Sequence, residues 1–391
     1  MAARRLKVLF ITNWYPAKEE PAKAVWVREH AKAALVFDDA VVLHCAGSVP
    51  ALKVAWRIEK EADNNLAEGV PTWRLWYRSS RVTKLSYFNY LWSIFQGYRY
   101  IVSQGFQPDV INVHIYDAGV PAILLGKCYG IPLVISEHFS SFPRRLLGRL
   151  DFCKAWLALR GANVVLPVSY SLQRAIERYG IRAHFQVVPN AVDTNVFFPS
   201  TQVRNAAGAR RILFVGQLTP VRGVEYLLQA LRVLRRKRDD WHVDIVGDGP
   251  ARGEHERMTA DFNLDAMVEF HGVMAKRGVA EFMRKADLFV LPSLAETFSV
   301  PAAEALASGI PVLATRCGGP EEFLNDDTGL LVPAGDADAL AEGLDCMLDN
   351  LHSYSGGWIA QYARERFSAE SVGAKLHAVY QSLVRNHLSL K

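Results

Sequence analysis

The sequence predicts an α/β protein built from two parallel-sheet domains, and three observations carry that prediction. Short β-branched runs alternate with helical patterns along the chain, which is how a parallel sheet covered by helices reads. The alternation comes as two separate series. Between them lies PNAVDTNVFFPSTQVRNAAGARR, residues 189 to 211, a polar, turn-rich stretch without clear period that suits a linker.

In the first series the strand candidates are KVLFIT, VVLHC, DVINVHIY, PLVISEH, NVVLPVS and FQVVPN. The intervening helices are AVWVREHAKAAL, AILLGKCYG, FCKAWLALRGA and SLQRAIERYG. The apolar run Val8 to Ile11 is too short for a signal peptide and reads as a first strand. The second series holds RILFVGQL, WHVDIVGDG, VEFHGV, DLFVLPS, IPVLAT and GLLVPA as strands. Its helix from Val224 to Lys237 sets Val224, Leu227, Leu228, Leu231 and Leu234 on one face. The expected domains are 1–190, a linker over 191–210, and 211–365. Two such halves leave a cleft, with ligands at the carboxyl ends of the strands.

Composition excludes several classes. At 391 residues and 50% apolar content the chain can bury large cores, yet no stretch approaches the roughly 18 apolar residues of a membrane span. The net charge of +5 is spread along the chain, so no nucleic-acid footprint is expected. The one basic cluster, Arg235 to Arg238, ends a helix and offsets its dipole. Five widely separated cysteines, Cys45, Cys128, Cys153, Cys317 and Cys346, suit free thiols in a reducing cytoplasm. No compact carboxylate or histidine cluster for a divalent ion is evident in the sequence, and no metal is expected.

The chemistry concentrates in ETFSVPAAEALASGIPVLAT, residues 296 to 315. A buried strand, DLFVLPS, runs into a loop, and Pro301 fits the first turn of the helix that follows. Glu296 then lies in front of that helix and Glu304 in or just beyond its first turn. Amides near Ser299, Val300 and Ala302, with the helix dipole, favour a phosphate. A carboxylate accepts two hydroxyl protons, which suits the vicinal diols of a sugar. The plainer reading is that Glu304 only offsets the dipole and Glu296 sits in solvent. GQLTPVRG, Gly216 to Gly223, stands where a phosphate-facing loop belongs, and Arg222 offers paired donors to a diphosphate. Gln217 brings hydrogen bonds without charge. VGDGP, Val246 to Pro250, is either a strand-ending turn or a close approach to a nucleotide.

The order GQLTPVRG, VGDGP, VEFHGV, then ETFSVPAAEALASGIPVLAT resembles the second domain of retaining family-4 glycosyltransferases (glycosyl transferases group 1) of GT-B architecture, with two Rossmann-like domains and two glutamates separated by seven residues. VLFITNWYP, ISEHFSSF and VVPNAVDTNVFFP extend the resemblance through the first half. It implies a nucleoside diphosphate sugar as donor, bound without metal or other cofactor. Glu304 would hold the ribose and Glu296 the transferred sugar. Gly216, Gln217 and Arg222 would form the diphosphate loop. Phe298, Ser299 and Val300 would face sugar and phosphate, Val273 would border the base, and His138 would reach the transferred sugar. Residues 366–391 would form a helix returning to the first domain. Without the resemblance, His138 reads as a surface or satisfied core histidine, and His114 as a packing residue.

Three departures from that pattern stand out. Gln217 replaces a usual arginine and Arg222 a usual lysine, so one diphosphate cation is missing. Ser299 replaces a usual glycine. PAKEEPAKAVWVREH, after the first strand, lacks a common glycine pair, leaving Lys18 and Lys23 as its nearby charges.

The acceptor, a carbohydrate or a lipid-linked one, is expected at the first domain, where Trp73 to Tyr100 mixes aromatic and basic residues. That segment reads as a membrane-surface element, a carbohydrate-stacking rim or a partly buried aromatic helix. Arg144, Arg145 and Arg149 add weight to peripheral contact at the inner face of a membrane. The alternatives to transfer are a sugar-nucleotide epimerase or hydrolase of the same fold, and a noncatalytic binding scaffold.

Overall fold

A computed structural model describes residues 4–21, 23–49, 54–79, 83–200 and 208–389. The chain divides into two compact units, one of Met1–Ala191 with Ala369–Lys391 and one of Val192–Ser368.

The first unit is built on seven strands: β1 (Lys7–Thr12), β2 (Asp39–Val49), β3 (Trp56–Lys60), β4 (Thr72–Arg78), β5 (Val110–His114), β6 (Leu133–Glu137) and β7 (Val164–Pro167). They lie in the order β3-β4-β2-β1-β5-β6-β7. All neighbours are parallel except the edge strand β3, which is antiparallel to β4. Strands β1, β5, β6 and β7 are buried almost throughout, as both faces of a helix-covered sheet require. The helix Ala369–Ser389 belongs to this unit and packs along the helix Val25–Phe37. Val372, Leu376, Val379 and Tyr380 enter the same core as Val8, Phe10 and Val27. The Tyr380 hydroxyl accepts a hydrogen bond from Asn112 on β5 at 2.7 Å.

Two expectations need correction here. FQVVPN is not a strand: Phe185 makes a single bridge to Val165, and although the Val188 amide donates to the Pro167 carbonyl at 3.1 Å, Pro167 has no N–H to return a bond to Gln186, so no second bridge forms. The segment Trp73 to Tyr100 is not one helix. Its start belongs to β4, and the described helix begins at Thr83 and ends at Ser103. Trp73, Leu75 and Tyr77 share one face of β4, but its burial does not alternate cleanly, since Arg74 and Leu75 are both buried, and its aromatic content obscured the strand.

The second unit is a six-stranded parallel sheet of β8 (Arg210–Val215), β9 (Trp241–Val246), β10 (Val268–Gly272), β11 (Leu288–Leu291), β12 (Val312–Thr315) and β13 (Gly329–Val332). Its order is β10-β9-β8-β11-β12-β13. The helix Val224–Leu234 buries Val224, Leu227, Leu228, Leu231 and Leu234 completely against this sheet. Each such side chain contributes about 1.5–3 kcal/mol. Residues 192–200 belong to this unit. Val192 bridges Ser368, and the Arg284 guanidinium lies over the Phe198 ring at 5.2 Å.

Both sheets share one feature that positions chemistry. Successive strands run outward from β8 through β9 to β10, and then in the other direction from β11 to β13. In the first unit the reversal falls between β1 and β5. Loops leaving the carboxyl ends of strands beside such a reversal diverge and open a crevice, where ligands of α/β sheets bind.

Candidate functional site

In the second unit the reversal lies between β8 and β11, so the loops after these two strands form its walls. They are tied together closely. The Leu294 amide donates to the Val221 carbonyl at 2.8 Å. Gly223, at φ +67°, leaves no room for a side chain: a Cβ there would stand 2.0 Å from the Pro292 carbonyl oxygen. Likewise a Cβ on Gly247 would fall 1.8 Å from the Gly216 carbonyl oxygen. The glycines of VGDGP are therefore explained by contact between backbone segments.

These loops bring Arg222 and Glu296 together. Glu296 is nearly buried, and its Oε1 accepts from the Arg222 guanidinium and from Ser293 Oγ, the latter at 2.9 Å. Glu296 beside it, and secondarily their hydrogen bond, raises the Arg222 pKa against the opposing effect of burial. The Glu296 backbone is pinned too: its amide donates to the Cys317 carbonyl at 2.8 Å, and its carbonyl accepts from Gly319 at 3.0 Å. Burial, followed by the Glu296 charge, pushes the neighbouring Cys317 thiol up to about 12, so that thiol is neutral.

Directly after Glu296, the helix Val300–Ala307 begins with Pro301 in its first turn. The first-turn amides of Val300 and Ala302 have no acceptor inside the helix, and the positive end of its dipole lies there. Phe298 is buried against Phe323 and Phe367. Ser299 occupies the left-handed region at φ 71°, which costs a non-glycine residue about 1–2 kcal/mol, and its buried hydroxyl has no hydrogen-bond partner. Strain at a functional loop is a common correlate of ligand contact. Glu304 sits one turn into the helix and is partly exposed. Gln217 is exposed on the β8 loop, with Gly216 partly buried before it. Val273 is exposed at the carboxyl end of β10.

Two family profiles match the chain, one on each half. Glycosyltransferase Family 4 covers residues 24–196 and Glycosyl transferases group 1 covers residues 209–350. The chain therefore carries one domain of each of these two glycosyltransferase families. Among relatives, a D-inositol 3-phosphate glycosyltransferase of Arthrobacter sp. is 27% identical, over 64% of this glycosyltransferase and 67% of that protein. An MMP alpha-(1->4)-mannosyltransferase of Mycolicibacterium hassiacum is 34% identical over 51% and 48%. The Anabaena protein HepE, solved in complex with UDP and glucose, has the same fold at TM-score 0.76 and 20% identity, covering 97% of this chain and all of that one.

His138 of this glycosyltransferase lies in the other unit, immediately after β6, and it is not a surface residue. Its Nε2 meets His114 Nδ1 at 3.0 Å. The two rings are nearly parallel with centroids 5.1 Å apart, too far for face-to-face stacking, so they join edge to edge through one N–H. A third imidazole, His30, packs edge-on to both. Its Nε2 lies 3.1 Å from the Pro189 carbonyl. Because a carbonyl only accepts, His30 carries its proton on Nε2. Burial holds all three imidazoles below the ordinary histidine range, His30 at about 4. One nitrogen from each comes within 4.8 Å of the others, a spacing that could hold a transition-metal ion. The direct bond between His114 and His138 already engages one ring nitrogen of each, His114 Nδ1 and His138 Nε2.

Beneath them Glu137 is fully buried and accepts from the amides of Tyr116, His138 and Phe139 at 3.0, 2.9 and 2.8 Å. It thereby holds the loop after β6 to the strained turn at Ile115, a β-branched residue at φ 67°. Burial lifts its carboxyl to about 7, with the three amides opposing. Neither His30 nor Glu137 was singled out from sequence. His30 shares a helical face with Val27, Ala31 and Ala34, and a histidine inside an apolar stripe was the available signal.

Proposed function

We propose that this glycosyltransferase is a retaining enzyme of glycan synthesis, moving a sugar from a nucleoside diphosphate sugar to an acceptor hydroxyl of a carbohydrate or lipid-linked glycan. The observation that carries this reading is the Arg222–Glu296 pair at the mouth of the Val300–Ala307 helix, beside the β8/β11 reversal. Glu296 engages Arg222. A diphosphate brings more charge than one carboxylate and competes for the forked guanidinium donors, with the amides of Val300 and Ala302 completing the anion site.

The layout of the sheet supports the rest of the donor. Val273, at β10, is two strands from β8, about 10 Å at about 4.8 Å per strand, a span suited to a base and ribose leading to a diphosphate. Glu304 is assigned to the ribose hydroxyls, Glu296 to the transferred sugar, and the backbone of Phe298, Ser299 and Val300 to sugar and phosphate. Gly216 and Gln217 line the diphosphate loop. His138 of the first unit is assigned to the transferred sugar, with a tautomer coupled to that of His114 through their shared hydrogen bond.

No side chain is assigned as nucleophile. The acceptor oxygen attacks the anomeric carbon on the face the diphosphate leaves. The carbon–oxygen bond to phosphate breaks with its electron pair going to the diphosphate, and the acceptor proton passes to the departing phosphate oxygen. Arg222 and the helix amides stabilise that developing charge, so no divalent ion is required and chelator leaves turnover intact. The five cysteines form no disulfide, which suits a reducing cytoplasm. Thermal-shift titration with uridine, guanosine and adenosine diphosphate sugars identifies the donor, since a ligand bound to the folded state raises its melting temperature. Product analysis with and without acceptor then follows. Release of free sugar alone, or of an epimerised nucleotide, would replace this reading with hydrolase or epimerase.

A further inference from the structure

The helix Arg149–Gly161 in the first unit is built inside out. Its buried face is made of Ala155, Ala158 and Leu159, while Leu150 is 79% and Leu157 53% exposed. Trp156 is partly exposed beside them, and Leu146, in the turn just before, is 57% exposed. A helix at a water-facing surface ordinarily turns its large apolar residues inward. Charge on this segment is one-sided: Arg144, Arg145, Arg149, Lys154 and Arg160 are all exposed, and Asp151 is the only acid between residues 139 and 161.

The pattern extends to neighbouring elements and stops at the unit boundary. The helix packs beside Gly119–Tyr129, which packs beside Thr83–Ser103, and that last helix exposes Leu85, Phe88 and Trp92. In the second unit the large exposed apolar side chains among the described residues, Phe198, Val273, Leu294 and Trp358, are far apart in sequence, and no one helix or turn carries two of them. No described helix is long and apolar enough to cross a membrane.

We propose that the helix Arg149–Gly161 and the turn before it dock the first unit onto an anionic lipid surface. Leu146, Leu150 and Leu157 enter the boundary between headgroups and acyl chains, Trp156 lies at headgroup depth, and the five cations face lipid phosphates. The one-sided charge selects this occupant over a second copy of the chain, which would set the same cations against themselves. The inference does not depend on which donor or acceptor the enzyme uses.

The test is sedimentation of the full chain with vesicles of phosphatidylcholine, alone or mixed with phosphatidylglycerol. Binding is expected to the mixed vesicles, to be far weaker to phosphatidylcholine alone, and to fall as salt is raised. Leu150→Glu combined with Leu157→Glu should reduce it by about ten-fold or more, with the melting temperature unchanged because both positions are exposed. A second variant, Arg144, Arg145 and Arg149 each changed to Gln, should lose the preference for phosphatidylglycerol. Equal binding by wild type and both variants overturns the proposal, as does no binding to mixed vesicles. So does a wild-type dimer in sedimentation velocity that Leu150→Glu dissociates, which would make the face a contact between copies.

Discussion

The two strand-order reversals of this molecule have the same topology and opposite chemistry. In the second unit the crevice walls hold a charged pair, Arg222 and Glu296, and a helix start with outward amides. In the first unit the corresponding place holds three neutral imidazoles in mutual contact, braced by a buried glutamate that accepts three amides. The sheet provides the position in both cases, and the residues decide what it can bind. A charged crevice suits an anionic diphosphate. A neutral hydrogen-bonding one suits hydroxyl groups, which gain little from fixed charge but much from a fixed donor or acceptor.

Substitutions can break this contrast from either side. The largest effect is expected for Arg222→Ala, which removes the diphosphate cation and leaves Glu296 as a nearly buried charge. kcat/KM should fall by about 10²–10³, or about 3–4 kcal/mol at about 1.4 kcal/mol per decade. An unchanged value would mean that the leaving group is stabilised elsewhere.

Next comes the neutral side. The unfolded chain protonates His30 below about pH 6.5, whereas burial delays this in the folded protein to about 4. Stability from this group is complete above pH 6.5 and is lost as pH falls toward 4, at about 1.4 kcal/mol per pH unit. Replacing His30 with Gln removes that dependence. Denaturant unfolding of wild type and His30→Gln should therefore show a stability gap that shifts by about that amount per unit toward the variant between pH 6.5 and 5. A gap independent of pH would mean that His30 is already protonated in the fold.

Smaller effects sharpen the charged side. Glu304→Ala should weaken donor binding about ten-fold by calorimetry, the equivalent of about 1.4 kcal/mol, while leaving the melting temperature close to wild type. A residue serving only the helix dipole would give the reverse. Ser299→Gly relieves the left-handed backbone at φ 71° and should add about 1 kcal/mol in urea unfolding. A loss of stability there would mean that the Ser299 side chain has a structural role.

Much of the second unit was legible because its strands are short, continuous apolar runs and its helix Val224–Leu234 is regularly amphipathic. The order of Arg222, Glu296 and Glu304 along the chain also located the loops correctly relative to the strands. Their pairing was not readable, because it depends on β8 and β11 being neighbours, a non-local fact. The same holds for the imidazole group. His30, His114 and His138 come from a helix and the ends of two strands, and only the strand order β1-β5-β6 brings them together. The sequence misled where aromatic composition dominated. Trp73 to Tyr77 looked like the start of an aromatic helix, although those residues belong to β4, whose burial has no clean alternation to mark it.

The most direct test is a crystal structure of the protein with the nucleoside diphosphate that stabilises it most. The account predicts the β-phosphate within about 3 Å of the Arg222 guanidinium and the Val300 amide, with a ribose hydroxyl donating to Glu304. Density for the diphosphate away from the start of the Val300–Ala307 helix, with Arg222 still paired to Glu296, would contradict it.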